Sequence, residues 1–513
     1  MSDPEVYYVA DDTPETPGPS TEPGAWKDTE VVGKRRHRVD GYERVSGTAV
    51  YPSDLNLPGT LYGAILRCPH AHARVKSVDL GPAEGMPGVR AVIGPQTPEA
   101  DLTWSYSSEV STKLFDAHCR FAGEAVAAVA ADTPQQAADA LRAIAVDYEV
   151  LDYVSDERKA LEDGAPKIHE GGNTVGESGY ERGDVEKGFA EADVVRERRY
   201  RTEAELHTPL ELHGCVARWD GDKLNIWEST QGVYAVQSLV ANTLDLPLSH
   251  VRVIGHYLGG GFGAKLQASK YTVIAALLAR RTAKPVKLFL TREETYTSVG
   301  NRPPSNMRLK AGVTKDGKLT ALEFDCVGTG GAYPAGGTSL VDWLVRDLYT
   351  CPNVKTHSTD VYINAGPARP FRAPGHPQGA WALEQMIDEL AEAIGMDPVE
   401  LRLKNIPDHS QGRAGNPPYT TTGLEECIRK GAEVFGWKEA RQRPASQQGR
   451  VRRGVGSAAC LWIAGGGGPP STVIVKLFRD GSANLNMGAS DIGTGTKTIM
   501  AMVVAEELGI PLE

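Results

Sequence analysis

The sequence has little cysteine for its length and no grouped cysteines. Its seven cysteines are scattered along 513 residues, and none belongs to a C-x-x-C pair. Iron–sulfur clusters need grouped thiolates, and a disulfide framework needs a dense, even set. The pattern therefore argues against both within this chain, and we interpret the cysteines as reduced, buried thiols.

The chain also lacks long apolar runs and concentrated basic charge. There is no run of about 18 apolar residues, so no transmembrane helix is expected. Residues 1–22 are acidic and proline-rich and lack the apolar segment of a signal peptide. The net charge is −11, with scattered lysine and arginine, which argues against nucleic acid as a partner. We expect a cytoplasmic protein, with export through a partner's signal peptide left open.

The length suggests roughly three or four domains. We predict an α+β chain with a disordered or extended arm over residues 1–38 and a first domain over 39–151. A charged linker with few apolar residues follows over 152–170. A second domain occupies 171–410, and an incomplete third domain occupies 411–513.

Local signals place elements within these domains. In the first domain, a strand over 124–131, a helix capped by Thr133 and ending near 144, and a strand over 146–150 predict a βαβ unit. In the second, Asp-Gly pairs at 220–221 and 316–317 predict hairpins. The apolar spacing over 379–394 predicts a helix that ends at Gly395, and Asp397 caps the next one.

The third domain repeats part of the second. Residues 223–254 are predicted as strand, turn, helix and strand. Residues 484–512 repeat the strand, turn and helix without a second strand. By this internal analogy we expect another polypeptide to complete the domain, or the chain to be a fragment.

A glycine-rich turn is the clearest binding signal. Residues 259–265 read Gly-Gly-Gly-Phe-Gly-Ala-Lys, between a predicted strand over 251–254 and a predicted helix over 271–278. This arrangement presents bare backbone N–H groups to an anion. It is not a P-loop, because Leu266 follows Lys265, and its glycine spacing does not fit the dinucleotide fingerprint. A purely structural turn remains the alternative.

Further segments could bind the same ligand. Residues 366–379 place Arg372 among rigid prolines and glycines. Its guanidinium could donate two parallel hydrogen bonds to an oxyanion or form a surface salt bridge. Gln231 follows a strand and could bond a buried ligand or be a surface amide. The turn over 491–495 has an equivalent position in the repeat. His207, Glu211 and His213 do not share one face of a helix or strand, so no zinc site is expected.

Together these segments resemble the large, molybdopterin-binding subunit of the xanthine dehydrogenase/aldehyde oxidase family of molybdenum hydroxylases. The similarity is carried by residues 228–231, 259–265, 371–379 and 384–391. Residues 67–73 and 124–150 resemble that family's α/β hammerhead domain. The resemblance extends from about residue 39 onward. It implies a hammerhead domain over 39–151, a first molybdopterin-binding domain over 171–410 and the start of a second over 411–513.

The resemblance also implies roles for individual residues. Gln231 would hydrogen-bond an oxo ligand of molybdenum, and Arg372 would lie beside the pterin or the substrate. Residues of the two glycine-containing turns would contact the cofactor: Gly260, Gly261, Phe262, Gly263, Gly493, Thr494 and Gly495. The cofactor's dithiolene would hold the metal, so no protein ligand to it is expected. The nucleotide form of the cofactor stays open.

Two departures from the family bear on the substrate. Xanthine-oxidising members carry a glutamate where this chain has Leu266, and a phenylalanine near the position of Ala373 and Pro374. Without that carboxylate, purine selection should weaken, because specificity comes from paired polar groups. We therefore expect these three residues to line a substrate pocket that favours aldehydes over xanthine.

The resemblance further implies partners. The [2Fe–2S] clusters and FAD would reside on separate subunits, in a dimer of heteromers. No residue matches the family's general-base glutamate, which is expected downstream of Asp491, so a second molybdopterin-domain chain would supply it. The expected activity is hydroxylation of an aldehyde or heteroaromatic carbon with oxygen from water. A hydroxyaryl-thioester reductase and a scaffold without cofactor are the alternatives.

Overall fold

The computed structural model describes residues 28–419, 421–441, 447–462 and 472–512. The chain divides into a larger unit, Val50–Pro470 with Gly488–Gly493, and a smaller unit, Met1–Ala49 with Ser471–Met487 and Thr494–Glu513. Most of the predicted N-terminal arm, residues 1–27, lies outside the described residues. Strands and helices are mixed along the chain, which confirms the predicted fold class.

The strands are β1 (Leu61–Arg67), β2 (Ala73–Asp79), β3 (Val89–Ile93), β4 (Thr103–Ser105), β5 (Ser111–Lys113), β6 (His118–Cys119), β7 (Ala125–Ala131), β8 (Ala145–Val150), β9 (Thr174–Arg182), β10 (Val194–Thr202), β11 (Gly214–Asp220), β12 (Lys223–Glu228), β13 (Val251–Ile254), β14 (Val286–Phe289), β15 (Ser305–Val313), β16 (Leu319–Gly331), β17 (Asn353–Tyr362), β18 (Val473–Leu477) and β19 (Ala483–Met487).

The helices are α1 (Gly41–Ser46), α2 (Gly81–Glu84), α3 (Pro134–Ala143), α4 (Val185–Ala190), α5 (Val233–Thr243), α6 (Lys270–Thr282), α7 (Arg292–Thr297), α8 (Trp343–Asp347), α9 (His376–Ile394), α10 (Pro398–Lys404), α11 (Leu424–Phe435), α12 (Trp437–Ala440) and α13 (Thr496–Leu508).

The largest sheet joins segments that are distant in sequence. Its strand order is β13-β12-β11-β14-β1-β7-β3. The strands of the first predicted domain join those of the second where β1 runs parallel to β14, with Leu61 opposite Val286. Strands from residues 39–151 and from residues 171–410 therefore lie in one sheet. The hairpin predicted at Asp220 and Gly221 joins β11 to β12, as expected.

Helix α6 fills the core beside this sheet. Its residues 271–279 are all buried, and a helix that is buried on every side reads as apolar all round. The strand β7 is also fully buried, and its small residues, Ala-Val-Ala-Ala-Val-Ala-Ala, let neighbouring layers approach closely. The glycine turn lies between β13 and α6, so a rigid element stands on each side of it.

The second sheet has the order β10-β15-β16-β17-β9 and packs against α9. The hairpin predicted at Asp316 and Gly317 joins β15 to β16. The predicted helix stripe is confirmed, with Leu383, Met386 and Leu390 fully buried. The helix begins three residues earlier than predicted and ends at Gly395, as expected.

The predicted βαβ unit is wrong. Strand β7 belongs to the largest sheet, whereas β8 pairs antiparallel with β2 in a separate sheet of order β6-β2-β8. The elements themselves are correct, and the Thr133 side chain caps α3 by accepting from the Gln136 N–H. The pairing differs because β7 is buried on both faces and needs a central position, while most of β8 is exposed.

The segment predicted as a linker, residues 152–170, is packed into the larger unit. Val154, Ala160 and Ile168 are buried in one cluster with Phe121 and Tyr333. Its apolar residues are few, and three of them reach the core, whereas Tyr153 and Leu161 are exposed. This segment therefore holds the two parts of the larger unit together.

The smaller unit contains the hairpin β18–β19 and α13, which confirms the predicted strand and helix. The Glu506 carboxylate on α13 accepts the N–H groups of Val31 and Val32, at 2.7 and 2.8 Å. Every residue of β18 is exposed, although the strand reads Val-Ile-Val-Lys-Leu. This unit thus presents an apolar surface, which is uncommon on an isolated protein.

Among the described residues, no helix is both long and apolar enough to cross a membrane. The prediction of buried thiols is correct for five cysteines and wrong for Cys427 and Cys460, which are exposed.

Candidate functional site

The glycine turn, residues 259–265, holds part of its backbone open to a ligand. Gly260 has a φ of +91° and Phe262 a φ of +56°, which is a left-handed conformation that residues with a side chain rarely adopt. Within the described part of the chain, the N–H groups of Gly260, Gly261 and Phe262 have no acceptor. Three successive free donors form a cradle for an anion.

Two glycines of the turn are required by close packing. A Cβ on Gly261 would lie 2.5 Å from the Gln231 Oε1 atom. A Cβ on Gly263 would lie 2.1 Å from the Pro370 carbonyl oxygen, and its φ of +111° also disfavours a side chain. The turn therefore touches both of the segments that carry the other predicted ligand contacts.

Gln231 is fixed by the turn. Its side-chain Oε1 atom accepts the backbone N–H groups of Gly263 and Lys265, at 2.8 and 3.2 Å. The backbone N–H of Gln231 donates to the Lys265 carbonyl at 2.7 Å. These donors identify which end of the amide is the oxygen. The NH₂ group of Gln231 has no acceptor among the described residues and remains available to a ligand.

The arginine loop, residues 366–379, is attached to the same turn. The Arg372 N–H donates to the Phe262 carbonyl at 2.8 Å. The Arg372 side chain is exposed and has no hydrogen bond or ion pair within the described ranges. An unpaired guanidinium beside free backbone donors can bind an oxyanion.

Arg302 braces the arginine loop from behind. Its guanidinium donates to the Arg372 carbonyl at 3.0 Å and to the Gln378 side chain at 3.3 Å. It also pairs with Glu205 at 3.1 Å and lies over the Phe371 ring at 4.7 Å. Arg302 is nearly buried, so these contacts define the position of the loop.

A buried ion pair anchors the glycine turn. Lys265 Nζ donates to the Glu211 carbonyl at 2.8 Å and to Ser229 Oγ at 2.6 Å, and it lies 3.8 Å from the Glu211 carboxylate. That carboxylate accepts the Ser229 hydroxyl at 2.7 Å and the Gly259 N–H at 2.8 Å. Burial lowers the pKa of Lys265 to about 8, although the Glu211 charge opposes this.

Two of the three residues that could suggest zinc, His207 and Glu211, have other partners. His207 Nε2 bonds the Pro370 carbonyl at 2.8 Å, and Glu211 belongs to the Lys265 pair. His213 is buried, and burial lowers its pKa well below the usual value, with the Lys265 charge adding to the effect. His207 and Glu211 thus support the two loops.

Glu228, at the end of β12, is a buried carboxyl group beside Gln231. Its Oε1 atom accepts the hydroxyls of Tyr271 and Thr272, at 3.0 and 2.9 Å. Burial raises the pKa of Glu228 to about 8 from its usual 4.5. Between about pH 4.5 and pH 8, the Glu228 carboxyl group is therefore protonated in the folded chain and ionised in the unfolded chain.

This predicts a pH dependence. Since the folded state binds the extra proton, Glu228 should contribute a fall in the free energy of unfolding as pH rises from about 5 to 8, by at most about 1.4 kcal/mol per pH unit. Glu228→Gln should remove that contribution, so that the difference in slope between parent and variant reports Glu228, because the amide does not titrate. Urea unfolding at several pH values measures it. A Glu228→Gln slope equal to the parent's would contradict the assignment.

The residues of the predicted turn over 491–495 are divided between the two compact units and are described within each. In the larger unit, Asp491 Oδ1 accepts the Gly493 N–H at 2.9 Å, and Gly488 lies against the Tyr234 ring of α5. In the smaller unit, Thr494 Oγ1 lies 3.2 Å from the Thr496 hydroxyl, and Gly495 caps α13 with a φ of +89°.

The residues predicted to line a substrate pocket lie on the two loops. Leu266 directly follows the glycine turn and is 42% exposed. Ala373 has a φ of +64°, and the Pro374 carbonyl accepts from the His376 ring at 3.0 Å. Phe262 is similarly exposed, at 43%. Apolar side chains are therefore accessible on both of the loops that carry the free donors.

The structure thus assembles three of the predicted segments, namely Gln231, the glycine turn and the arginine loop. Sequence reasoning missed the two supports behind them. Arg302 carried no signal, because its partners lie about 70 residues or more away in sequence. Glu211 was considered as a metal ligand, and its pairing with Lys265 could not be read from spacing.

Comparison with known families matches this architecture. Residues 46–152 match the a/b hammerhead domain of aldehyde oxidase and xanthine dehydrogenase. Residues 168–406 match one molybdopterin cofactor-binding domain, and residues 430–513 match a second.

Individual proteins give the same result. The nicotinate dehydrogenase large molybdopterin subunit of Eubacterium barkeri is 35% identical over 426 residues, which cover 81% of this chain and 100% of that protein. The xanthine dehydrogenase molybdenum-binding subunit of Escherichia coli O157:H7 is 32% identical, and the match covers 93% of this chain but only 66% of that subunit's length. The aldehyde oxidoreductase of Desulfovibrio desulfuricans superposes with a TM-score of 0.81 at 26% identity, covering 93% of this chain and 55% of that one.

Proposed function

The chain belongs to the xanthine dehydrogenase/aldehyde oxidase family, and from this premise we propose that it binds molybdopterin and forms part of a cytoplasmic hydroxylase. The proposed reaction inserts oxygen from water into an aldehyde or a heteroaromatic carbon. The observation that carries the proposal is the group of unused donors where Gln231, the glycine turn and the arginine loop meet.

These donors suit an anionic cofactor. The N–H groups of Gly260, Gly261 and Phe262 and the Gln231 amide would bond its oxygen atoms, and Arg372 would add a positive charge. Gly263 would allow the close packing of the turn and would not bond the cofactor, because its N–H already donates to Gln231 Oε1. The molybdenum centre, when bound, supplies the two-electron redox chemistry. The protein's task is to orient the bound groups and to exclude competing water.

We propose two further contributions from this chain. Gly493, Thr494 and Gly495 would contact the phosphate end of the cofactor, as the resemblance to the family implies, and Gly493 and Gly495 have the positive φ of a tight turn. Leu266, Ala373 and Pro374 would line the substrate pocket. An apolar Leu266 offers no hydrogen bond to a purine, so an aldehyde is the better fit.

The proposal includes partner subunits. The scattered cysteines provide no iron–sulfur ligand set, so the [2Fe–2S] clusters and FAD would reside on separate chains. A further molybdopterin-domain chain would cover the exposed apolar hairpin β18–β19 and supply the general-base glutamate. A two-stranded hairpin with exposed valine and isoleucine is marginally stable alone, which supports such a cover.

The test is to purify the native complex and measure molybdenum and pterin. We expect both, in equal amounts per copy of this chain. If both are absent from a complex that is otherwise intact, the chain is a scaffold and the proposed function fails.

The same preparation then tests the substrate class. We expect faster turnover of benzaldehyde than of xanthine with an artificial electron acceptor. A Leu266→Glu variant should gain xanthine turnover relative to the parent, and Leu266→Met is the matched control. Faster xanthine than benzaldehyde turnover by the parent would overturn the aldehyde assignment alone.

A further inference from the structure

A second cluster of charged side chains surrounds a small cavity on the larger unit. The cavity has a volume of about 40 Å³ and opens to the surface. It lies between the end of β1, the start of β7, the start of α6 and the stem of the arginine loop. Its polar lining consists mainly of Arg67, Tyr106, Glu124, Ser269, Lys270 and Arg369. We call it the Arg369 cavity.

The Arg369 cavity has more positive than negative charge. Arg67 is neutralised by Glu294, at 2.7 Å. Lys270 donates to the Lys113 carbonyl at 3.0 Å and has no carboxylate within ion-pair distance among the described residues. Glu124 is the one acidic side chain in the described lining, so Lys270 and Arg369 together exceed it by one charge.

Arg369 is the side chain without a partner. Its guanidinium makes no hydrogen bond or ion pair within the part of the chain that the structure describes, and the residue is only partly exposed. Burial lowers the pKa of Arg369, and the groups that oppose this are the phenols Tyr106 and Tyr271. Arginine stays charged in proteins. A half-buried guanidinium without a counter-ion leaves its hydrogen-bond donors open to an anion, and an anion that binds only the folded chain would stabilise it.

The Glu124 carboxylate does not fill this role. It accepts the Tyr333 hydroxyl at 2.5 Å and the Arg120 N–H at 2.8 Å. Both bonds point it toward neighbours other than Arg369. Burial raises the pKa of Glu124, which further weakens it as a counter-ion.

The backbone is shaped to hold Arg369 in place. Gly300 has a φ of +107°, and a Cβ there would lie 2.1 Å from the Arg369 Cγ atom. The Arg369 N–H also donates to the Asn301 carbonyl at 3.0 Å. The arginine stem thus crosses directly over a glycine, and its position is set by the fold. Because α6 begins at the cavity with Lys270, the positive end of its helix dipole adds to the potential.

We propose that the Arg369 cavity binds a small carboxylate-type anion, of about the size of formate or acetate. The volume of about 40 Å³ suits a small ligand of this kind. The planar fork of Arg369 matches a carboxylate through two parallel hydrogen bonds. Lys270 and the Ser269 hydroxyl would complete the site. This site is separate from the free donors of the glycine turn and does not depend on molybdopterin.

The experiment titrates sodium formate into the full chain by calorimetry and follows its thermal unfolding, with sodium chloride at equal ionic strength as reference. We expect saturable binding of formate, a higher unfolding temperature than in chloride, and weaker binding of benzoate. Arg369→Gln should weaken formate binding about tenfold or more, because it removes a charged hydrogen-bond donor. Arg142→Gln, on the exposed face of α3, is the matched control and should bind like the parent.

Several outcomes would overturn the proposal. These are equal effects of formate and chloride, unchanged binding in Arg369→Gln, or tighter binding of benzoate than of formate. If Arg369→Gln does not fold, Lys270→Gln provides the second reading, and unchanged formate affinity in that variant also overturns it. Molybdenum and pterin contents do not enter this measurement, so its failure is distinct from failure of the proposed function.

Discussion

The Gly263→Ala variant should lose most of its bound pterin and should unfold more easily than the parent. Gly263 has a φ of +111°, and a Cβ there would lie 2.1 Å from the Pro370 carbonyl oxygen. The strained backbone and the overpacking each cost roughly 1–3 kcal/mol. The chain can relieve the clash only by separating the glycine turn from the arginine loop. That movement would break the Phe262–Arg372 backbone bond and the Gln231 contact together.

The matched control is Gly221→Ala, in the hairpin between β11 and β12. Gly221 also has a positive φ, of +63°, but a Cβ there has nothing within 4 Å. It carries the conformational cost without the clash, and pterin content should remain at the parent's level. Pterin is measured by fluorescence after oxidative release, and stability by urea unfolding. Equal pterin contents in Gly263→Ala and the parent would show that contact between the two loops is not needed for binding.

Local chemistry made part of this structure predictable. Thr133 and Asp397 accept backbone N–H groups at the starts of α3 and α10, and Gly395 ends α9 in the left-handed conformation. Each of these signals acts within about four residues, which is the range that a sequence pattern reports well. The three helix ends were therefore correctly predicted without knowledge of the tertiary fold.

Strand pairing was less predictable. A buried strand, a helix and a second strand in succession favour a βαβ unit, yet β7 and β8 lie in different sheets. The neighbour that decides the position of β7 is β1, whose register pairs Ile65 with Ala128 across about 60 residues of sequence. Such pairing depends on the packing of both faces, which a local pattern does not contain.

In the candidate site, too, the local segments were predictable from the sequence and the long-range contacts were not. The glycine turn, Gln231 and Arg372 were predicted as separate segments, because each has a recognisable local composition. Their supports were not, because Arg302 acts on Arg372, 70 positions away, and Glu211 acts on Gly259 and Lys265, 48 and 54 positions away. Ordinary charged residues become structural parts of the site only where the fold buries them. We therefore expect their substitution to affect stability before it affects the choice of substrate.

Lys265→Met should be among the most destabilising single substitutions in the larger unit. It would leave the Glu211 carboxylate, whose side chain is 5% exposed, buried without its cation. Breaking a buried ion pair from one side costs about 3–5 kcal/mol. The double variant Lys265→Met with Glu211→Gln removes both charges and should be less destabilised than the sum of the single changes, with a coupling energy of about 1–3 kcal/mol. Urea unfolding of the four proteins measures that coupling.

The surface pair Arg429 and Glu425 on α11 is the matched control for this cycle. Both side chains are more than half exposed, and solvent screens such a pair strongly. Arg429→Met should therefore change the unfolding midpoint little. Additive effects of Lys265→Met and Glu211→Gln would show that the two groups do not stabilise each other. In that case the N–H groups of Ser53 and Gly259 and the Ser229 hydroxyl would hold the Glu211 carboxylate, and the glycine turn would keep its shape without the lysine charge. Pterin content separates these cases, because it should fall in Lys265→Met only if the ion pair sets the shape of the turn.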